Sequence, residues 1–293
     1  MIRLSIDLKS FQYPDGTVAL SDIGLDIKKG ELAAILGSNG SGKTTLLKIM
    51  DGLIKEYDGQ VLLDGQDVRK LHPKDIYRKM GLIFQNPDDQ LFAHTIYEDV
   101  AFGPRNMGIG EGEVNERVGG ALAAVEMGEF AKKSIHHLSY GQKKRVCIAG
   151  LLAMGHEILL LDEPTAGLDP MGEYQMMELL MRLNRENGVT VVMATHCVDL
   201  VPVFLHRLYI LSKGRIVRGG RPEEVFTTPY EMEHVKLRLP HVAELIWRLK
   251  HEDGIAFDRV PLTIGEARRE ISMIADSKSR AAGNACKETS GRR

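Results

Sequence analysis

The 293-residue sequence predicts an α/β fold built around a parallel sheet. A brief apolar run, Glu31–Leu36, leads into a glycine-rich turn and then a helical pattern, which is the order of a βα unit. Two further continuous apolar runs, Ile158–Leu161 and Val189–Ala194, are typical of strands buried on both faces, as parallel strands are. These three observations predict the centre of the molecule, and the other elements are assigned around it.

The N-terminal part of the chain is predicted to be mainly β-structure. Residues 1–35 are expected to form short strands separated by turns at Pro14–Gly16 and Lys28–Gly30. A helix is then expected after the glycine-rich turn, because apolar residues recur at helical spacing. These residues are Leu46, Leu47, Met50 and Leu53.

The middle of the chain is predicted to alternate helices with the buried strands. Residues 105–155 are mostly helical in pattern, and Met176–Leu183 is a helix that ends near Asn187–Gly188, a suitable C-cap. Leu208–Leu211 and Arg215–Val217 flank a Ser-Lys-Gly turn and predict a hairpin. The helical periodicity of the first segment is carried by Val114, Val118, Leu122 and Val125.

The pattern changes after Pro222. Residues 223–247 are amphipathic and helical with interruptions at Pro229 and Pro240, and residues 262–274 predict another helix. The small, polar and basic end of the chain predicts a disordered tail. We therefore divide the chain into a main domain (1–222) with a helical subdomain at about 87–155, a helical C-terminal extension (223–276) and a tail (277–293).

Composition and charge limit the classes of protein to which the chain can belong. The chain has 38 Lys and Arg against 40 Asp and Glu, and a net charge of −2 gives no support for wholesale nucleic-acid binding. Three cysteines without a CxxC spacing favour a reducing compartment. No apolar run has the roughly 18 residues of a membrane span. Asp7 lies where a signal peptide needs an apolar run. We expect a cytoplasmic chain that acts at a membrane only through a partner.

A phosphate-binding loop is predicted between the first buried strand and its helix. Gly37–Thr44 fits the pattern G-x-x-x-x-G-K-[ST]. Glycines allow backbone N–H groups to surround an anion, and the helix N-terminus adds a favourable dipole. Lys43 can reach the β- and γ-phosphates, and the Thr44 hydroxyl can ligate Mg²⁺. Because the pattern stands in strand–loop–helix context, the sequence predicts a nucleotide site rather than a surface turn.

A second polar centre is predicted where two other strands end. Asp162 and Glu163 follow the run Ile158–Leu161, and His196 follows the strand after it. The carboxyl ends of parallel strands line the ligand crevice, so Asp162 can hold Mg²⁺ and Glu163 can polarise a water. His196 can contact the γ-phosphate or that water. Taken alone, acids at a strand end often only face solvent, and a lone His is often structural.

In this order the motifs resemble those of the ATP-binding cassette (ABC) ATPases over residues 2–225. The resemblance assigns Gly37–Thr45 to the Walker A loop, Leu138–Gln142 to the signature motif, Ile158–Glu163 to Walker B and Ala166–Asp169 to the D-loop. It makes His196 the switch histidine, Gln85 the Q-loop residue and Tyr13 the aromatic that stacks on adenine.

The resemblance implies ATP and Mg²⁺ as ligands and assigns residues to three roles. Catalysis would rest on Glu163, His196 and Gln85. The metal ligands would be Thr44, Gln85 and Asp162. The nucleotide would be bound by Tyr13, Gly37, Ser38, Asn39, Gly40, Ser41, Gly42, Lys43, Thr44, Thr45, Ser139, Gly141, Gln142 and Asp169.

The resemblance also implies a head-to-tail homodimer that forms on ATP binding. ATP is then enclosed between the Walker A loop of one copy and the signature motif of the other. Two positions depart from the family pattern, because Tyr140 replaces a Gly of the signature and Cys197 replaces an expected Asp. We expect Tyr140 to have to fit the dimer interface, and Cys197 to alter the orientation of His196.

A narrower resemblance is to the ATPases of energy-coupling-factor importers, through Phe84–Phe92 and Glu98–Pro104. Leu138–Gly150, Asp162–Gly172 and Ala194–Val201 are similar to the cobalt-import branch. This implies peripheral attachment at the cytoplasmic face of the membrane to a transmembrane coupling subunit and a substrate-binding membrane subunit, with docking in a groove near Gln85 and no nucleic-acid partner.

Other functions remain open at this level. Cobalt is the expected cargo, and nickel or a vitamin is the alternative for the same motor, since the ATPase does not touch the cargo. A soluble ABC protein acting on DNA or ribosomes usually has two cassettes or a basic face, and a P-loop kinase or GTPase lacks a signature motif. The basic run Lys143–Arg145 is interpreted as a solvated helix face or as contacts around the nucleotide rather than as a nucleic-acid patch.

Overall fold

Two β-sheets and a set of helices make up the architecture. The computed structural model describes residues 1–276. The strands of this range, in chain order, are β1 (Ile2–Gln12), β2 (Val18–Lys28), β3 (Leu32–Leu36), β4 (Asp58–Leu63), β5 (Gln66–Asp67), β6 (Met80–Ile83), β7 (Ile158–Asp162), β8 (Thr190–Thr195), β9 (Arg207–Ser212) and β10 (Arg215–Gly220).

The helices lie between and after these strands. They are α1 (Lys43–Met50), α2 (Pro73–Tyr77), α3 (Ile96–Asn106), α4 (Glu111–Ala124), α5 (Tyr140–Ala153), α6 (Pro170–Asn187), α7 (Val201–Phe204), α8 (Pro222–Val225), α9 (Pro229–His234), α10 (His241–His251) and α11 (264–276). Short 3₁₀ turns occur at Pro87–Asp89, Gly128–Phe130 and Ile135–His137.

The larger sheet is the parallel sheet that the sequence predicts. Its strand order is β10-β9-β3-β8-β7-β6, and every neighbouring pair is parallel except β10 with β9. Alternate residues of its central strands enter two different cores, so that Ala33 and Ile35 face one and Leu32, Ala34 and Leu36 face the other. This double burial explains why the strands are apolar throughout.

The smaller sheet is antiparallel, with the order β2-β1-β4-β5, and shares one of the two cores with α1 and the parallel sheet. The prediction of short strands in residues 1–35 is wrong, because β1 and β2 are each 11 residues long. Burial alternates along both strands, as at Leu4, Ile6 and Leu8. This period of two places one face of each strand against the core.

Helix α1 is shorter than its apolar spacing predicts. It ends at Met50, and Gly52 then adopts a φ of +74°. Leu53, which the periodicity places on the helix, lies beyond this turn and is 59% exposed. Leu46, Leu47 and Met50 are buried as predicted.

The helical subdomain packs against the other core. Helices α3, α4 and α5 contact one another, and the four predicted core residues of this segment, from Val114 to Val125, are all buried. Helix α6 ends where predicted, with Gly188 at its C-cap in a left-handed conformation (φ +66°).

The C-terminal extension consists of short helices. Pro229 begins α9 and Pro240 caps α10, which explains both predicted interruptions. A small core of Ile246, Phe257 and Ala267 joins α10 to α11. The predicted tail, residues 277–293, lies outside the described residues. Across residues 1–276, none of the helices combines the length and apolar character needed to cross a membrane.

Candidate nucleotide-binding and hydrolysis site

The phosphate-binding loop runs from the end of β3 into α1 and depends on its glycines. Gly40 and Gly42 have φ values of +78° and +106°, which side-chain-bearing residues rarely adopt. A Cβ on Gly37 would lie 2.5 Å from both the Leu211 carbonyl oxygen and Ser41 Oγ. The loop is therefore specified by backbone geometry as well as by the Lys and Thr that follow it.

Lys43 begins α1 and points back into the loop. Its Nζ donates to the carbonyl oxygens of Gly37 (2.8 Å) and Ser38 (3.3 Å). The same Nζ lies 3.3 Å from Glu163 Oε1, and each of these two side chains is only 7% exposed. The structure thus places the ammonium of the loop directly beside the carboxylate at the end of β7.

Thr44 and Asp162 form a pair suited to a hard cation. The Thr44 hydroxyl donates to Asp162 Oδ2 at 2.6 Å, and Asp162 Oδ1 is buried without a hydrogen-bond partner among the described residues. Burial raises the pKa of Asp162, and the neighbouring Glu163 raises it further, while the Thr44 bond acts in the opposite direction. Hydroxyl and carboxylate oxygens are ligands that Mg²⁺ prefers, so this pair fits a magnesium site.

Glu163 has a left-handed backbone (φ +49°), and its N–H donates to the Ala194 carbonyl at 2.9 Å. Its Oε2 lies 3.0 Å from His196 Nδ1, and the His196 side chain is 56% exposed. Cys197 is half-buried, its N–H donates to Thr195 Oγ1 at 3.1 Å, and burial raises the pKa of its thiol. Lys43, Glu163 and His196 therefore form one chain of polar contacts leading from the buried loop to solvent.

Most of the predicted site residues surround a single open cavity of about 630 Å³. Tyr13 lies at its edge, where its hydroxyl is 2.8 Å from Thr45 Oγ1, and Gln85 is exposed on another side. Ser38, Asn39 and His196 line a cleft that adjoins the loop. The predicted residues around the main cavity are Tyr13, Asn39, Gly40, Ser41, Gly42, Lys43, Thr44, Thr45, Gln85, Asp162 and Glu163.

Five residues that line this cavity are not among the predicted site residues, namely Thr17, Val18, Ala19, Lys213 and Gly214. Lys213 and Gly214 lie in the turn of the β9–β10 hairpin. The Gly214 N–H donates to the Ser41 carbonyl at 3.0 Å, so the hairpin turn supports the phosphate-binding loop. Their signal in the sequence predicts only a turn, since the approach of the hairpin to the loop depends on the tertiary fold.

The remaining predicted residues form a separate cavity of about 330 Å³, lined by Ser139, Gly141, Gln142 and Asp169 together with Gly167. Ser139 caps α5, as the signature motif predicts. Its Oγ accepts from the Gln142 N–H (3.3 Å), and Gln142 Oε1 accepts from the Ser139 N–H (3.0 Å). Within one chain, these residues do not line the cavity of the phosphate-binding loop.

Of the two interpretations of Lys143–Arg145, the solvated helix face is wrong, and contact with the nucleotide stays a prediction, since Arg145 lines the cavity of the signature motif. Lys143 Nζ lies 2.6 Å from Asp88 Oδ1 and Arg145 Nη1 lies 2.7 Å from Glu126 Oε2, because α5 packs between the segments that carry these acids. Lys144 is 2% exposed.

Tyr140 makes contacts within its own chain, and the expectation that it must fit the dimer interface stays a prediction. Its hydroxyl donates to the Gln85 carbonyl oxygen at 3.1 Å, and its ring contacts Gly167. The side chain is half-buried.

Comparisons with known proteins identify the family of the chain. The ABC transporter family model matches residues 20–166. A protein of Geobacter sulfurreducens is 76% identical over 276 residues, covering 94% of this chain and 99% of that protein. The energy-coupling factor transporter ATP-binding protein EcfA of Methanococcus maripaludis is 49% identical over 267 residues, covering 90% of this chain and 95% of EcfA.

Solved structures give the same result. CbiO1 from Clostridium perfringens, described as part of the ABC transporter complex cbiONQ, has a TM-score of 0.74 and 41% identity, covering 84% of this chain and 99% of that one. A dimeric ATP-binding cassette in a post-hydrolysis state with ADP and Pi has a TM-score of 0.66 and 31% identity, covering 76% and 99%.

The chain therefore belongs to the ABC transporter family and is an ATPase of the ATP-binding cassette class. Within that family it is similar to the ATP-binding subunits of energy-coupling factor transporters.

Proposed function

We propose that this chain binds and hydrolyses ATP to power an importer of the energy-coupling-factor type, with cobalt ions as the cargo. The observation that carries the motor part is the buried contact of Lys43 with Glu163, beside the Thr44–Asp162 pair, at the carboxyl ends of parallel strands. This arrangement supplies a cation for phosphates, a metal site and a carboxylate base within one cavity.

Each group has a distinct proposed part. The loop N–H groups and Lys43 hold the β- and γ-phosphates, and Tyr13 supports the adenine. Glu163 accepts a proton from the attacking water, and His196, bonded to its Oε2, orients that carboxylate. Thr44, Asp162 and Gln85 would hold Mg²⁺, which when bound neutralises charge on the phosphate oxygens. The negative charge of the γ-phosphate would therefore be stabilised by Lys43 and by the N-terminus of α1.

The second cavity is best explained by a head-to-tail homodimer. Ser139 and Gly141 lie at the start of the 14-residue α5, whose N-terminal N–H groups attract anions, but they are apart from the phosphate-binding loop of the same chain. The dimeric form of a 31% identical cassette supports this proposal. In such a dimer, Ser139, Gly141, Gln142 and Asp169 would complete the partner copy's nucleotide site.

A docking surface for the membrane subunits is proposed near Gln85. Phe92 and Phe102 are 65% and 48% exposed, and their rings meet edge to face at 4.7 Å. An exposed aromatic pair suits contact with a helix of a transmembrane coupling subunit. A substrate-binding membrane subunit would complete the assembly at the cytoplasmic face of the membrane.

We propose to keep the division into residues 1–222 and 223–276. The small core of Ile246, Phe257 and Ala267 supports this division, although other residues of the extension, such as Met232 and Leu239, are buried in a core of the main domain. The extension therefore packs against that domain and is not independent of it.

Uptake of cobalt and of nickel by cells expressing the chain with its membrane subunits tests the proposal, with Glu163→Gln as the inactive control. Cobalt uptake that disappears in the variant is expected. Nickel uptake alone, or uptake of neither metal with ATPase activity intact, would reject cobalt in favour of nickel or a vitamin, while an inactive wild-type ATPase would reject the motor itself.

A further inference from the structure

Lys144 is a buried cation that the hydrolysis site described above does not use. It lies in the second turn of α5 and is 2% exposed. Its Nζ donates to three backbone carbonyl oxygens, those of Glu163 (2.8 Å), Pro164 (3.1 Å) and Ala166 (2.8 Å). An ammonium has three N–H donors, so all of them are committed to this one segment.

The bonded segment, residues 163–166, joins the proposed general base Glu163 to the D-loop. It starts at Glu163, whose φ is +49°, and the Ala166 N–H returns to the Glu163 carbonyl at 3.2 Å. Burial lowers the pKa of Lys144 to about 8, while the nearby charge of Glu163 opposes this shift. Because burying a charged group is costly unless it is well bonded, the three carbonyls and the ammonium fix each other's positions.

The same helix carries the signature residues one turn earlier. Ser139 caps α5 and Gly141 lies in its first turn, where both line the second cavity. The centroid of the Tyr140 ring lies 5.1 Å from Lys144 Nζ, and a Cβ on Gly167 would lie 3.0 Å from the same ring. A displacement of the N-terminus of α5 would therefore move Lys144, one helical turn away, and with it the segment that begins at Glu163.

We propose that Lys144 is a positioning residue that couples the two nucleotide sites of the dimer, by tying the backbone of Glu163 in one site to the helix whose N-terminus completes the other. The inference rests on the proposed head-to-tail homodimer. A phosphate bound at the helix N-terminus would bias the position of α5, and Lys144 would pass that bias to the base of the second site.

The first test compares full-length wild type with Lys144→Met, which keeps the length of the side chain but removes its charge and donors. ATP hydrolysis is measured against ATP concentration. For wild type we expect a Hill coefficient between 1 and 2, the number of sites. In the variant it should fall to 1, with kcat lower by about tenfold. The ATP affinity, measured by equilibrium binding, should stay within about twofold.

Two further variants separate coupling from general destabilisation. Lys143→Met is the matched control, because Lys143 is the neighbour of Lys144 on α5 but its Nζ pairs with Asp88, and it should keep the wild-type Hill coefficient and kcat. Lys144→Gln retains two N–H donors, so its Hill coefficient and kcat should fall less than those of Lys144→Met. This second variant keeps the proposal testable if Lys144→Met unfolds.

Mixed dimers give the decisive readout. In a dimer with one Glu163→Gln copy, only the site containing the intact Glu163 hydrolyses ATP. Adding Lys144→Met to the copy with the intact Glu163 should lower this activity about tenfold, and adding it to the Gln copy should leave it nearly unchanged. Equal loss in both placements, or wild-type kcat and Hill coefficient in the homodimeric variant, would overturn the proposal. A wild type that neither dimerises nor hydrolyses ATP would instead refute the proposed function.

Discussion

The two halves of the nucleotide site differ in how completely one chain builds them. Around the phosphate-binding loop, Lys43, Asp162 and Glu163 are buried and connected by contacts of 2.6 to 3.3 Å to neighbouring residues. Around the signature motif, Ser139 is exposed and its cap bonds only Gln142 in the same turn. We propose that the first half binds a nucleotide by itself, and that the second needs a nucleotide brought by another copy.

This difference predicts that binding and hydrolysis respond separately to substitution. Changes in the buried half should affect the affinity or the chemical step of a single chain. Changes in the signature half should leave the affinity of a single chain intact and affect only the steps that depend on the dimer.

The largest effect is expected from Glu163→Gln. The amide keeps the size of the side chain but cannot accept the proton of the attacking water, and loss of a general base costs about 10²- to 10⁴-fold in rate. Steady-state ATPase kinetics should show this loss in kcat, with ATP binding retained. A kcat within a few-fold of wild type would remove Glu163 from the chemistry of the buried half.

Lys43→Ala should weaken ATP binding. Bonds from a charged donor are worth about 1.5–3 kcal/mol, so the loss of Lys43 should weaken binding by about 10- to 100-fold. Isothermal titration calorimetry measures this directly. Lys55→Ala is the matched control, because Lys55 is exposed beyond α1 and should bind ATP as the wild type does. Unchanged affinity in Lys43→Ala would mean that the loop does not hold phosphates.

Ser139→Ala tests the other half. Losing the N-cap should cost about 1 kcal/mol and misplace the first turn of α5, so hydrolysis should fall by about fivefold or more while the ATP affinity of the single chain stays unchanged. Ser134→Ala is a control, since Ser134 makes no side-chain cap bond. A loss of affinity in monomeric Ser139→Ala would contradict the separation of the two halves.

The smallest effect is expected from Tyr140→Phe. It removes only the bond to the Gln85 carbonyl, worth about 0.5–1.5 kcal/mol, and leaves the ring beside Gly167 and Lys144. The unfolding midpoint should fall by a few degrees, and ATPase activity should change by less than about threefold. A complete loss of dimerisation would show that the hydroxyl acts across the dimer interface and not within the chain.

Local patterns in the sequence predict much of this site. The phosphate-binding loop, the cap at Ser139 and the carboxylates after β7 follow from glycine placement, capping chemistry and strand patterning, which act over a few residues. Other contacts join positions that are between 19 and 173 residues apart, and no local sequence pattern predicts them. They are the bond of Gly214 to the phosphate-binding loop, the bond of Tyr140 to Gln85 and the three bonds of Lys144. The error at Leu53 has the same origin, because apolar spacing continued beyond the point where Gly52 ends the helical path.

We propose that a second copy of the chain completes the nucleotide site. Light scattering of Glu163→Gln with ATP and Mg²⁺ tests it most directly, because this variant should bind ATP without consuming it. The predicted result is a stable dimer that reverts to monomer when Ser139→Ala is added or ATP is removed. A monomer at saturating ATP would contradict the account.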